Sequence, residues 1–161
     1  MTFSEYDRTD GLGLAERVAH KDVTAAELLE EAISRAERFN PALNAVVFKD
    51  YERARTAAHG PLPAGPFVGV PFLFKDIFAM VQGTPTRQGS RFFPAFPADH
   101  DSYLTTRFKR AGLVAFGKTN VPVVFAESHG FLARLPNFSR RLTGCHRQNR
   151  VPRPGISAVS P

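Results

Sequence analysis

Two apolar runs separated by a segment of helical composition set the tightest limit on what this chain can fold into. Residues 67–74 (FVGVPFLF) read as a buried strand with Lys75 at its C-terminal end. A Gly/Pro/Thr-rich loop containing Gly83, Pro85, Gly89 and Ser90 comes next. Asp101 is then placed to cap a helix through about Lys109, Gly112 stops it, and residues 113–116 form the next strand. Strand, crossover helix and strand in that order argue for a parallel pair, hence an α/β sheet whose functional edge lies at the strands' C-terminal ends. Pro71 lacks an N–H to give to a ladder, so the first strand needs an edge position or a bulge.

Upstream, residues 12–20 (LGLAERVAH) have helical spacing. Thr24 followed by Glu27 forms a capping box that opens a second helix with an apolar stripe of Leu28, Leu29, Ile33 and Ala36. Asn40-Pro41 is expected to end that helix near Phe39, because proline disfavours helical geometry at the residue before it. Residues 44–48 (NAVVF) read as a short strand and residues 51–58 as a helix.

Charge divides the chain unevenly. All 15 acidic residues lie at or before Glu127, and residues 1–127 also hold 15 of the 21 Lys+Arg, so that stretch is formally neutral. The net charge of +6 comes entirely from Arg134, Arg140, Arg141, Arg147, Arg150 and Arg153. This places a boundary between a first part, 1–127, and an Arg/Pro-rich tail, 128–161, in which Pro136, Pro152 and Pro154 interrupt every candidate helix. The tail reads as disordered, or folded only against another surface. One cysteine, Cys145, excludes an internal disulfide framework and any multi-cysteine metal site. With no secretory leader and no apolar run of spanning length, a cytoplasmic location without membrane contact is expected.

Four segments together carry a resemblance: GPFVGVPFLFKD at 65–76, GTPTRQGSRFF at 83–93, DHDSY at 99–103 and AGLVAFGKTNVP at 111–122. In order and spacing the chain resembles the front portion of the amidase-signature hydrolases, most of all the bacterial amidases that include nylon-oligomer cyclic amide hydrolases. The capped helix and NPALNAVV that follow Thr24 are similar to that family's N-terminal segment. The resemblance implies an incomplete amidase-signature fold, with a mixed or parallel sheet flanked by helices, and cleavage of linear or cyclic amides with no cofactor. It also implies a Ser-Ser-Lys mechanism, in which a lysine matching Lys75 takes the proton of a nucleophilic serine through a bridging serine. Such a base must be neutral, and burial among Phe72, Leu73, Phe74 and Phe78 is expected to disfavour its ammonium form.

The family's two serines lie in a Gly-Gly-Ser-Ser-Gly-Gly type run and its extension, which residues 1–161 lack. After Pro122 the chain departs from the family pattern with Val123, Val124 and Phe125. A chain truncated before its serines, and inactive alone, is therefore expected, with small amides as substrates only if it is completed. An acid-free, Arg/Pro-enriched tail fits out-of-frame translation of a longer GC-rich gene, which the nucleotide sequence beyond codon 122 would decide.

Other patterns have simpler readings. Residues 112–119 match G-x-x-x-x-G-K-T literally, but residues 113–116 form an apolar strand and Asn120-Val121-Pro122 blocks the helix a phosphate loop needs. The resemblance leaves Lys118, Thr119 and Asn120 shaping the strand end. His100, Asp101 and Ser102 are chain neighbours and cannot converge on one reacting atom, so Asp101 is read as a cap. Ser90 reads as a turn residue or pocket wall. His20, His59, His129 and His146 have no ligand spacing, and no metal is expected. Phe92, Phe93 and Phe96 stand open between core and substrate pocket. Six tail arginines with Phe131 and Phe138 suggest nucleic acid as an alternative partner, but they share no helical or strand face.

Overall fold

Asp10 begins the first substantial helix. In the computed structural model, which describes residues 3–90 and 96–121, a short α1 (Phe3–Tyr6) precedes α2 (Gly11–Ala19), and the Asp10 carboxylate accepts from Gly13 N–H at 2.8 Å. The capping box opens α3 (Ala25–Leu43): Thr24 Oγ1 accepts from Glu27 N–H and the Glu27 carboxylate accepts from Thr24 N–H. Leu28, Leu29 and Ile33 form the expected buried stripe. The end of this helix corrects the sequence reading, because α3 passes through Asn40-Pro41 to Leu43. Proline there removes a bond only from the last turn. Asn40 compensates with its side chain, which donates to Val46 O and accepts from Val46 N–H, and Asn44 ends the helix in the left-handed region at φ 49°.

The remaining elements are β1 (Val46–Lys49), α4 (Tyr51–His59), β2 (Pro71–Lys75), α5 (Tyr103–Arg110) and β3 (Val114–Thr119). Among the described residues they give a three-stranded mixed sheet in the order β1-β3-β2, with β2 parallel and β1 antiparallel to β3. The crossover through α5 thus produces the expected parallel pair. Pro71 meets both of its conditions, since it begins an outer strand of this sheet and the register shifts between Phe72 and Leu73. The first strand is shorter than expected: around Gly69 (φ 79°) the chain turns, and Phe67 N–H donates to Ala111 O. The cap of the crossover helix α5 is also reassigned. Ser102 caps α5, while Asp101 accepts from Gln82 N–H at 2.8 Å and from Lys109 Nζ at 2.6 Å.

The sheet is packed on both faces. Leu29, Ala32 and Ile33 of α3 meet Ala54 of α4 and Val114 and Phe116 of β3 in one cluster. Phe74, Ala79 and Val81 form another, joined by Phe72, Phe108 and Ala115. Leu28 and Leu29 are essentially inaccessible, and each such burial stabilises by about 2 kcal/mol. Two glycines are set by close approach. A Cβ on Gly117 would stand 2.4 Å from Phe48 O of β1, and Gly112 combines φ 90° with a Cβ position 2.7 Å from Val68 Cα. No described helix is long and apolar enough to cross a membrane. The boundary at Glu127 and the arginine tail lie outside the described residues.

Candidate active site at the ends of the parallel strands

Lys75 is the last residue of β2 and lies opposite Thr119 in the parallel register. Strand alternation decides its surroundings. Phe72 and Phe74 share one face, their ring centroids 5.2 Å apart and 5.1 and 5.9 Å from that of Phe108. Leu73 turns the other way, onto the cluster of α3, α4 and β3. These side chains do not bury Lys75, contrary to the sequence expectation: Phe72 and Phe74 pack with Phe108 on the opposite face, Leu73 packs into the cluster of α3, α4 and β3, and Phe78, at φ 62°, is 72% exposed. Lys75 is exposed, and no hydrogen bond or ion pair holds its amine among the described residues.

The buried cation at this edge is Lys118, which the sequence reading treated only as a shaper of the strand end. It is 1% exposed, and Asp76, the residue after Lys75, is 4% exposed. Lys118 Nζ donates to Pro85 O at 2.7 Å and to Thr86 Oγ1 at 2.8 Å, and stands 3.9 Å from Asp76 Oδ1. Arg87 N–H lies 3.2 Å from each Asp76 carboxylate oxygen. Burial pushes the Asp76 carboxyl above the ordinary carboxylate range, against the pull of Arg87 N–H and Lys118. Burial likewise draws Lys118 below the ordinary lysine value, against the field of Asp76. The only signal available for this contact was that FKD and GKT end the two strands of a predicted parallel pair.

The other singled-out residues disperse. Residues 114–119 of the phosphate-loop pattern are strand, with Lys118 already engaged by loop oxygens. His100 Nδ1 contacts its exposed neighbour Asp99, and Asp101 and Ser102 are occupied by Gln82, Lys109 and Thr105. Ser90 N–H donates to Arg87 O, as in a turn. His20 and His59 are exposed, and Phe96 is 76% exposed. His129, His146, Phe92 and Phe93 lie outside the described residues. Among the described residues, no group of three or more His, Cys, Asp or Glu is placed to hold a metal.

A family model described as Amidase matches residues 27–130, which takes in both strand ends and the loop between them. The chain belongs to the amidase family. Among its curated relatives, the 6-aminohexanoate-cyclic-dimer hydrolase of Paenarthrobacter ureafaciens is 39% identical over 116 residues, covering 70% of this chain and 23% of that protein. The lipoamidase of Enterococcus faecalis is 34% identical over 120 residues, 74% of this chain and 17% of its own length. Solved amidase structures agree. That of 6-aminohexanoate cyclic dimer hydrolase superposes with a TM-score of 0.63 at 38% identity, covering 71% of this chain and 24% of that one. That of the peptide amidase PAM with the competitive inhibitor chymostatin gives 0.64 at 29% identity, covering 73% and 26%. This amidase chain spans about a quarter of the length of the cyclic-dimer hydrolases it matches.

Proposed function

We propose that these residues supply the lysine part of a hydrolase of small linear or cyclic amides, with Lys75 as the proton-accepting amine of a Ser-Ser-Lys mechanism. The observation that carries the reading is the position of Lys75. It ends a parallel strand within the amidase match, with its amine open to the edge where α/β folds bind ligands. In the proposed reaction a serine oxygen attacks the amide carbon as its proton passes, through a second serine, to the neutral amine of Lys75. The C–N bond then breaks, the leaving nitrogen takes a proton back, and water cleaves the resulting ester.

Two parts of this machinery must come from polypeptide other than the described residues. The first is the serine pair, since residues 1–161 contain no Gly-Gly-Ser-Ser-Gly-Gly run. The second is the cover that would make a neutral amine favourable, since Lys75 is exposed here. The names of the relatives favour a small amide of the 6-aminohexanoate cyclic dimer kind as substrate. The 161-residue chain alone is expected to release no amine from simple amides or from that dimer. Release abolished by Lys75→Met would show instead that the serines need no outside source.

A further inference from the structure

Every polar group of the residue that follows Lys75 is engaged. Asp76 N–H donates to Thr119 O at 3.1 Å, its carbonyl accepts from Gln88 N–H at 3.0 Å, and its carboxylate meets Arg87 N–H and Lys118. Lys118 reaches the same loop two residues earlier, at Pro85 O and Thr86 Oγ1. One buried pair thus ties four consecutive loop residues, 85–88, to the ends of β2 and β3.

We propose that Asp76 and Lys118 are positioning residues of the amidase site, clamping residues 85–88 as a fixed wall beside Lys75. The inference rests on the reading of Lys75 as the site's lysine. Two physical arguments support it. Gln88 holds φ 53°, a left-handed conformation that a residue with a side chain keeps only when its surroundings fix it, and Gly89 continues at φ 70°. Taking two charges out of water is also costly, and an apolar pair of equal volume would fill the space without costing that desolvation. The apolar pair would leave Pro85 O, Thr86 Oγ1 and Arg87 N–H without their partners. The charges therefore hold the loop in one register.

The test is amide NMR on the whole 161-residue chain. In wild type the Arg87 amide proton shift is expected to titrate with the Asp76 carboxyl, with a midpoint above 3.8. In Asp76→Asn that titration disappears, and exchange at Arg87 and Gln88 quickens by about tenfold or more while Leu28, Leu29 and Ile33 keep their rates. An Arg87 shift that does not titrate in wild type, or loop amides that exchange at wild-type rates in folded Asp76→Asn, would overturn the clamp. Should that variant fail to fold, Asp76→Asn combined with Lys118→Met removes both charges, and the same loss of loop protection is expected; wild-type protection there would overturn the proposal equally. Lys75→Met is expected to leave all these rates unchanged, so a failure of the Lys75 reading and a failure of the clamp are seen separately.

Discussion

Lys118 and Asp76 meet at 3.9 Å with both side chains withdrawn from water, and that single contact governs what happens when either is changed. Lys118→Met leaves the Asp76 carboxylate buried without its cation and should destabilise the fold by about 3 kcal/mol, read as a lower urea midpoint. The pH dependence has a definite sign. Lys118 has a folded pKa below 10.5, so between that lower value and 10.5 the unfolded chain binds more protons than the native one, and stability from this group rises with pH. The stability gap between wild type and Lys118→Met should therefore widen as pH climbs toward 10.5, and a gap that narrows would contradict the assignment. At this scale the sequence was half legible. Lys75 could be placed at a strand end because its flanking motif is specific. Its exposure could not be read, because three apolar neighbours within the strand and Phe78 beyond its end do not say whether any of them folds over the amine.

Among the elements, α3 shows what local signals carry and where they fail. Thr24 and Glu27 identify its start from sequence because the capping box is made by residues three apart. Thr24→Ala is expected to cost about 1 kcal/mol, measured by thermal melting followed in the far-UV. Its end was misread because Asn40's rescue depends on Val46, a contact made only after the chain has reversed. Sheet order was legible in the same partial way. The parallel pairing of β2 with β3 follows from the connection between them, whereas the antiparallel docking of β1 is decided by close approach. Gly117→Ala tests that docking: its Cβ would press on Phe48 O, and a loss of about 2 kcal/mol is expected, with Val23 and Leu28 on the α2 side of the core little affected. An unchanged denaturation midpoint would mean that β1 is not held against β3 as described.

For the whole molecule, the described residues make a packed α/β body with Lys75, Asp76 and the 85–88 loop gathered at one edge of its parallel strands. The cyclic-dimer hydrolases extend over about four times as much chain as they share with it. Among the described residues β1 and β2 are the outer strands of the sheet, and Phe78, Phe96 and Tyr103 are more than 70% exposed. The isolated chain is accordingly expected to self-associate, and sedimentation showing only monomer at high concentration would count against that. The role of the Lys75 amine is tested most directly in a chimera in which residues 27–121 of this chain replace the matching segment of the Paenarthrobacter ureafaciens hydrolase. Initial rates of cyclic-dimer cleavage would be compared with and without Lys75→Met. With Lys75 as the general base, the chimera is expected to turn over and the substitution to lower kcat by about a thousandfold. An active chimera whose kcat is indifferent to the loss of Lys75 would contradict that role.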